Sequence, residues 1–509
     1  MKRKYFFQKV HVKAIAGNVG LFLHIPAVMS IITVLVSLIF KEYFSIMPLL
    51  ITAAINLAIA QILYRLFFNP SISHLWDTMI SISLAWFFCP LFASLPILWI
   101  SKVYASIVPN CFSCVILKEP VNAIFEAFSG FTSTGLSMVN SPFDLPKTIQ
   151  WLRSFQQWIG GVGLIIFVLS LIEPNTEEYQ FYFSESKTKG FINSFKKTSR
   201  SILLIYLIFT IFGILLFHIF GMQSWQAINH ALSAIATGGF TITNDSFTGY
   251  STLLKCASIF LMILGSMSFS VHYQWMFKKN FKQFWKNIQT RVYFIILIFG
   301  SILFFLLNIK NLSVIDSAFQ WASSLATCGF YSTNLKAVLP SSKFIMIVAM
   351  IIGGCSGSTV GGLKIKRVVS LFQSISLRLR SYTFQKEKKS LKKSKVILSE
   401  IDPSGVYLPE SGKTEKLYEA STLFFVWIIT LFIGYFFLLL FEHDIPTIDV
   451  LFDVTSALSN VGLSTGMTTD TLHIPSKITM ILIMWLGRLE IIPILVLIST
   501  FFLSFTKKK

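Results

Sequence analysis

The chain has 509 residues, of which 54% are hydrophobic, 15% aromatic and 13% charged, and its mean hydropathy is +0.68. A soluble domain carries roughly 25% charged residues, so this composition excludes an ordinary water-soluble protein and sets most of the apolar surface against lipid. Basic residues outnumber acidic ones by 43 to 23, and in a membrane chain such an excess belongs to the loops on one side of the bilayer before it belongs to nucleic acid.

Met1 to Lys13 is basic and runs into Ala14–Phe40 without a small-residue cleavage pattern, so it reads as the approach to a first span and not as a removed signal. Crossing ~30 Å of hydrocarbon takes about 20 largely uncharged residues. Such stretches follow at Tyr43–Tyr64, Thr78–Ser101, Ser154–Ile172, Cys256–Phe277, Val292–Ile309, Phe344–Leu363, Ala420–Phe441 and Ile478–Leu503. The last of them contains Arg488 and Glu490. A further run starts at Ser201 and stays free of Asp, Glu, Lys and Arg as far as Asn244, too long for one span yet without a charged loop to make it two. Ten spans are therefore expected. Lys and Arg number five in 1–14, five in 187–200, five in 278–291, thirteen in 364–416 and three in 507–509. With ten spans these segments share one side, which predicts cytoplasmic termini. The polar stretch Gln385 to Lys416, broken by Pro403 and Pro409, reads as a cytoplasmic linker.

Internal repetition carries the functional signal. Four segments align on one glycine: Ile124-Phe-Glu-Ala-Phe-Ser-Gly-Phe-Thr-Ser-Thr-Gly135, Ile228-Asn-His-Ala-Leu-Ser-Ala-Ile-Ala-Thr-Gly-Gly239, Ala318-Phe-Gln-Trp-Ala-Ser-Ser-Leu-Ala-Thr-Cys-Gly329 and Leu451-Phe-Asp-Val-Thr-Ser-Ala-Leu-Ser-Asn-Val-Gly462. Six residues before the glycine stands Ser129, Ser233, Ser323 or Ser456; nine before it, Glu126, His230, Gln320 or Asp453. A helix of about 12 residues is only ~18 Å long, so each copy can enter the membrane but not cross it. Pro120 and Pro446 suit a first helical turn, and Ser224 and Ser313 suit N-caps. Each short helix then aims its partially negative C-terminal end at the middle of the protein, which favours a cation.

The chain turns back out through Ser133-Thr134-Gly135, Thr237-Gly238-Gly239, Thr327-Cys328-Gly329 and Asn460-Val461-Gly462. Irregular backbone at membrane depth is tolerated where it lines a watery path, and a ring of backbone carbonyls can replace the water shell of potassium. One glycine alone would be assigned to close helix packing; four equivalent copies point to a filter. Gly353-Gly-Cys-Ser-Gly-Ser-Thr-Val-Gly-Gly362 is not a phosphate loop, because Leu363 separates Lys364 from the glycines and no strand precedes it. It reads as an unwound segment inside the membrane.

With these motifs the chain resembles the Trk/Ktr/HKT superfamily of potassium transporters over nearly its whole length, and the two extra spans before the first copy make it similar to the TrkH branch. The resemblance implies an all-α polytopic membrane protein: residues 1–70 as two N-terminal spans, 71–176, 187–280, 288–375 and 417–509 as four span, pore-helix, span repeats, and 376–416 as a linker. It implies potassium uptake across the inner membrane, with potassium as cargo, no cofactor, and a preference for potassium over sodium because Gly135 is kept. It also implies a gate made by Gly353, Gly354, Gly357, Ser358, Gly361 and Gly362, with Arg488 reaching that loop as an electrostatic barrier. A homodimer and a cytoplasmic nucleotide-binding regulatory subunit of the TrkA type are the implied partners, beside membrane lipid and without nucleic acid.

Sodium transport or sodium coupling in the same superfamily is the alternative, and a polytopic membrane enzyme is disfavoured because no nucleophile elbow or metal motif is present. The eight His show no metal spacing, and Cys111 and Cys114 can be a strained disulfide or two thiols. Trp158-Ile-Gly-Gly-Val-Gly163 reads as a close-packing face. Two residues apart on a helix, Arg488 and Glu490 point in different directions and are not expected to pair.

Overall fold

The computed structural model describes residues 11–67, 75–171, 195–385 and 411–506. These form helices and connecting loops, with no strand among the described residues. In chain order the helices are α1 (Val12–Phe22), α2 (His24–Ile39), α3 (Ile46–Phe67), α4 (Leu75–Ile107), α5 (Phe112–Leu117), α6 (Pro120–Phe131), α7 (Lys147–Leu171), α8 (Phe195–Ile219), α9 (Ser224–Ile235) and α10 (Thr252–Ser266). They continue with α11 (Phe269–Met276), α12 (Phe281–Lys286), α13 (Ile288–Leu307), α14 (Val314–Leu325), α15 (Pro340–Ile352), α16 (Ile365–Gln385), α17 (Ser411–Leu439), α18 (Thr447–Leu458), α19 (Ile474–Arg488) and α20 (Ile492–Thr506). The segments 1–10, 386–410 and 507–509, and most of the basic stretch 187–200, lie outside the described residues.

Six helical stretches are long and apolar enough to cross a bilayer, eight when two bent pairs are counted. The 25-residue α7 and the shorter α15 stand at the other two expected spans. Two expected spans are not straight. Cys256–Phe277 falls on α10 and α11, which meet at 102°, and Ile478–Leu503 falls on α19 and α20, which meet at 111°. Arg488 is thus the last residue of α19, and Glu490 and Ile491 in the bend take φ of 55° and 67°, a region β-branched residues avoid. The uncharged run from Ser201 resolves into the span α8, a turn, and the short helix α9. Lipid-facing walls are apolar: on α13, Ile295, Ile298, Phe299, Ile302 and Leu306 are all exposed.

The four short helices α6, α9, α14 and α18 have 12 residues each. Their starts differ from expectation in two places. Ser224 is the first helical residue of α9 behind Gln223, not its N-cap, and Pro446 is the N-cap of α18, not part of its first turn. Ser313 does cap α14, accepting a hydrogen bond from the Asp316 amide at 3.1 Å.

A belt of side-chain links joins each outward helix to the next short helix. Lys255 on α10 pairs with Asp316 on α14 at 2.7 Å, Lys343 on α15 pairs with Asp449 on α18 at 2.7 Å, and Lys477 on α19 donates to Asn122 on α6 at 2.8 Å. At the corresponding place on α7, Gln150 accepts from the Trp225 indole of α9 at 2.8 Å. Every link starts from the fourth residue of its outward helix, so the ring closes on itself. Removing one partner of a buried pair costs about 3–5 kcal/mol, whereas replacing both by apolar residues is often neutral. Lys343→Met is therefore expected to lower the thermal midpoint in detergent, and Lys343→Met with Asp449→Leu to restore most of it. Equal midpoints for the parent and Lys343→Met would refute this account.

Candidate functional site

The C-terminal ends of the four short helices converge, and each ends in the same turn. The amides of Thr134, Gly238, Cys328 and Val461 donate back to the carbonyls of Ser129, Ser233, Ser323 and Ser456 at 2.8–2.9 Å. The residues before them, Ser133, Thr237, Thr327 and Asn460, take φ of 47–51°. This is a Schellman-type end in which the left-handed position is held by residues other than glycine. Such backbone is costly for Thr and persists only where the surroundings impose it.

The next residue in each copy is the aligned glycine. Gly135, Gly239, Gly329 and Gly462 have φ of 96°, 79°, 86° and 92°, which glycine alone adopts without penalty. Each also lies against the carbonyl of the following copy. A Cβ on Gly135 would strike the carbonyl oxygen of Gly238, one on Gly239 that of Cys328, one on Gly329 that of Val461, and one on Gly462 that of Thr134. The order is cyclic, so all twelve residues expected from the sequence come together around one axis. Ser133 donates to the Gln157 carbonyl at 3.1 Å, and Asn460 Nδ2 donates to Thr134 Oγ1 at 2.9 Å, which ties the last copy to the first.

The aligned polar positions support this ring. Ser129 and Ser456 accept from the amides of Gly135 and Gly462 at 3.0 Å. Glu126 accepts from the Met138 amide at 3.1 Å, Gln320 from the Ser332 amide at 3.3 Å, and Asp453 from the amides of Thr465 and Thr468 at 2.9 and 3.1 Å. His230 departs from the pattern, because its Nδ1 bonds the Gln226 carbonyl on its own helix and its ring packs among Phe247, Tyr250 and Phe330. Asp453 also accepts from the Ser464 and Thr468 hydroxyls at 2.6 and 2.7 Å. Asp453→Ala strands these donors in a buried site, each costing ~1–3 kcal/mol. A clear drop in the thermal midpoint of purified protein is expected, and an unchanged midpoint would refute the role.

Two supporting residues, Arg153 and Gln157, were not legible beforehand, and a third, Asn460, was expected only for its backbone. Arg153 is 1% exposed, pairs with Glu126 at 2.7 Å, donates to the Thr241 carbonyl at 2.9 Å and covers the Phe240 ring. It clamps the chain beyond Gly135 to the chain beyond Gly239. Gln157 donates to the Gly238 carbonyl and accepts from the Phe240 amide at 3.1 Å. Asn460 further donates to the Met484 carbonyl at 2.9 Å. A polar Gln156-Gln157 pair inside an apolar stretch was the available signal.

Below the ring, α15 stops at Gly353, and residues 353–364 are not helical. Gly353, Gly357 and Gly362 take φ of 66°, 77° and 72°. Thr359 donates to the carbonyls of Ile235 and Gly265 at 3.2 and 3.0 Å, and the Gly361 amide donates to Thr327 Oγ1 at 3.0 Å. Gly361 lies against the Ser459 carbonyl, Gly354 against that of Ser266, and Ser358 donates to the Cys355 carbonyl at 2.6 Å. The loop thus sits directly under the ends of three short helices.

Arg488 reaches this loop. Its guanidinium donates to the Thr359 carbonyl at 2.9 Å and to the carbonyls of Gly160 and Gly161 at 2.5 and 3.3 Å. It therefore bridges the loop and α7. Gly160 itself lies against the Phe131 carbonyl and Gly161 against Ala236, the close packing expected of that motif. Glu490 forms ion pairs with Lys364 at 2.5 Å and with Arg367, at the start of α16. Arg488 thus holds the middle of the loop, and Glu490 holds its end at Lys364 and the start of α16. Cys111 and Cys114 are free and buried. No group of three His, Cys, Asp or Glu able to hold a metal occurs among the described residues.

The sequence model of the TrkH family, described as a cation transport protein, matches residues 99–504. An uncharacterized cation transporter of Methanocaldococcus jannaschii is 32% identical over 437 residues, 85% of this chain and 84% of its own. The Trk system potassium uptake protein TrkH of Escherichia coli K12 is 27% identical over 402 residues, 75% of this chain and 79% of that one. The crystal structure of the potassium transporter TrkH from Vibrio parahaemolyticus matches with a TM-score of 0.79 over 96% of this chain and 98% of that one, at 23% identity, a likeness of fold.

Proposed function

The chain belongs to the TrkH family of cation transport proteins, not enzymes, and on that premise we propose that it takes up potassium through one central path per chain. The observation that carries this reading is the cyclic ring: four positive-φ glycines, each against the next copy's carbonyl. The carbonyls of Thr134, Gly238, Cys328 and Val461, with those of the glycines and of Ser133, Thr237, Thr327 and Asn460, would take the place of water around the ion. The four converging helix ends each contribute about half a negative charge, which favours a cation of either kind. Selectivity for potassium comes from the spacing and field of the carbonyls, which the glycines set. Potassium is cargo here, and the site calls for no cofactor.

The Gly353–Gly362 loop is the gate in this reading, and Arg488 is a fixed positive charge below the filter that repels a passing cation. The division into two N-terminal spans and four repeats follows from the same reading. So do a homodimer in the cytoplasmic membrane, with both termini inside, and a nucleotide-binding regulatory subunit of the TrkA type on the cytoplasmic face. Purified protein in liposomes should pass potassium in preference to sodium. Comparing the two ions with and without a pH gradient tests both cargo and coupling, and equal rates would favour the sodium-transporting alternative.

A further inference from the structure

Between α10 and α13 the chain carries a basic and aromatic surface that the transport path does not use. Lys278, Lys279, Lys282, Lys286 and Arg291 are all exposed, and no carboxylate occurs between Phe269 and Arg291. None of the five is paired with a carboxylate among the described residues. Interleaved with them, Trp275, Phe277, Phe281 and Trp285 are 40–54% exposed. The 102° bend sets α11 nearly at right angles to α10, which would lay it along the plane of a bilayer that α10 enters. Beyond it, on the one helix α13, Ile288, Ile295 and Phe299 are exposed at seven- and four-residue spacing, as Arg291 is. A water-soluble partner would have to cover lipid-facing wall to cover this patch, whereas an amphiphile matches both halves of it. Aromatic rings settle at the headgroup level, and cations beside them attract anionic lipid.

The same segment is tied to the glycine-rich loop at both of its ends. The Phe269 amide donates to the Gly357 carbonyl at 2.9 Å, at the start of α11. The Ser356 amide donates to Gln289 Oε1 at 2.8 Å, at the start of α13, and the Cys355 amide donates to the Ser266 carbonyl at 2.9 Å, at the end of α10. A displacement of the surface helices would have to carry residues 355–357 along or break these bonds. We infer that Phe269–Arg291 binds the headgroups of anionic phospholipid and that this binding shifts the Gly353–Gly362 loop. The effect on transport rests on the loop's role as the gate; the binding does not.

The test uses the full chain reconstituted in phosphatidylcholine alone or mixed with phosphatidylglycerol, and reads both the lipid retained on extraction and cation flux. The variant replaces Lys278, Lys279, Lys282 and Lys286 by Gln; all four are exposed, and a second variant replaces them by Arg. A cation near an anionic surface strengthens binding roughly five-fold. The parent and the Arg variant should retain phosphatidylglycerol several-fold over phosphatidylcholine, and the Gln variant should lose that enrichment. Phosphatidylglycerol should change flux in the parent and leave the Gln variant unchanged. Equal retention in parent and Gln variant overturns the surface. Retention lost with an identical lipid response of flux overturns the coupling while leaving cargo and filter untouched. Protection of these lysines from acylation by a soluble protein, and not by phosphatidylglycerol, assigns the surface to a protein and also overturns the proposal.

Discussion

Gly135→Ser is expected to reduce the preference for potassium over sodium by about tenfold or more, because a relative change of ~1.4 kcal/mol between two ions is already tenfold. Two costs act together. At φ 96° a side chain is strained by ~1–2 kcal/mol, and its Cβ meets the Gly238 carbonyl oxygen. The backbone relieves that collision by turning the carbonyl or opening the ring, and either change alters the spacing that fits the larger ion. The cyclic contacts predict the same class of effect for Gly239, Gly329 and Gly462. Gly249 is the control, since a Cβ there meets nothing within 4 Å, and Gly249→Ser should leave selectivity as it is. Ion competition in liposomes reads the result. Unchanged selectivity in all four ring variants would sink the filter assignment.

Arg488→Ala is expected to raise cation flux. Two unit charges ~8 Å apart at an effective dielectric of ~20 repel by about 2 kcal/mol, a rate factor of roughly 30. The same guanidinium holds the loop through the Thr359 carbonyl and α7 through those of Gly160 and Gly161. Its loss therefore lowers the barrier and also frees the loop. Arg488→Lys separates the two effects, because an ammonium keeps the charge but lacks the planar fork that spans both elements. Flux of the Lys variant should lie between the parent and the Ala variant. Shortening the loop by several residues should likewise raise flux. If the Ala variant and the shortened loop both abolish flux in protein that folds and reaches the membrane, the segment is structural and the gate lies elsewhere.

Much of the architecture was legible because its causes are local. Uncharged runs of span length mark the membrane helices, and the four 12-residue helices announce themselves by a Ser, a polar residue and a Gly at constant spacing. Turn chemistry explains the glycines: positive φ is a property of one residue and its neighbours. Capping was less readable. Ser224 has the right chemistry for an N-cap, yet the helix starts one residue earlier than such a cap allows.

By itself, the sequence determined that the chain lives in a membrane, which stretches are apolar enough to lie in it, and that four equivalent glycine turns interrupt it. Only the tertiary structure decided how those turns close into a ring, since that depends on contacts between residues as far apart as Thr134 and Asn460. It also decided that the buried cation Arg153 neutralises Glu126, that Arg488 binds carbonyls, and that Glu490 turns to Lys364 and Arg367. The sharp bends after Ser266 and Arg488 belong to the same class. The physical reason is that hydropathy and turn preference are summed over neighbours in sequence, whereas the partner of a buried charge is chosen by whichever distant backbone the packed helices bring within ~3 Å.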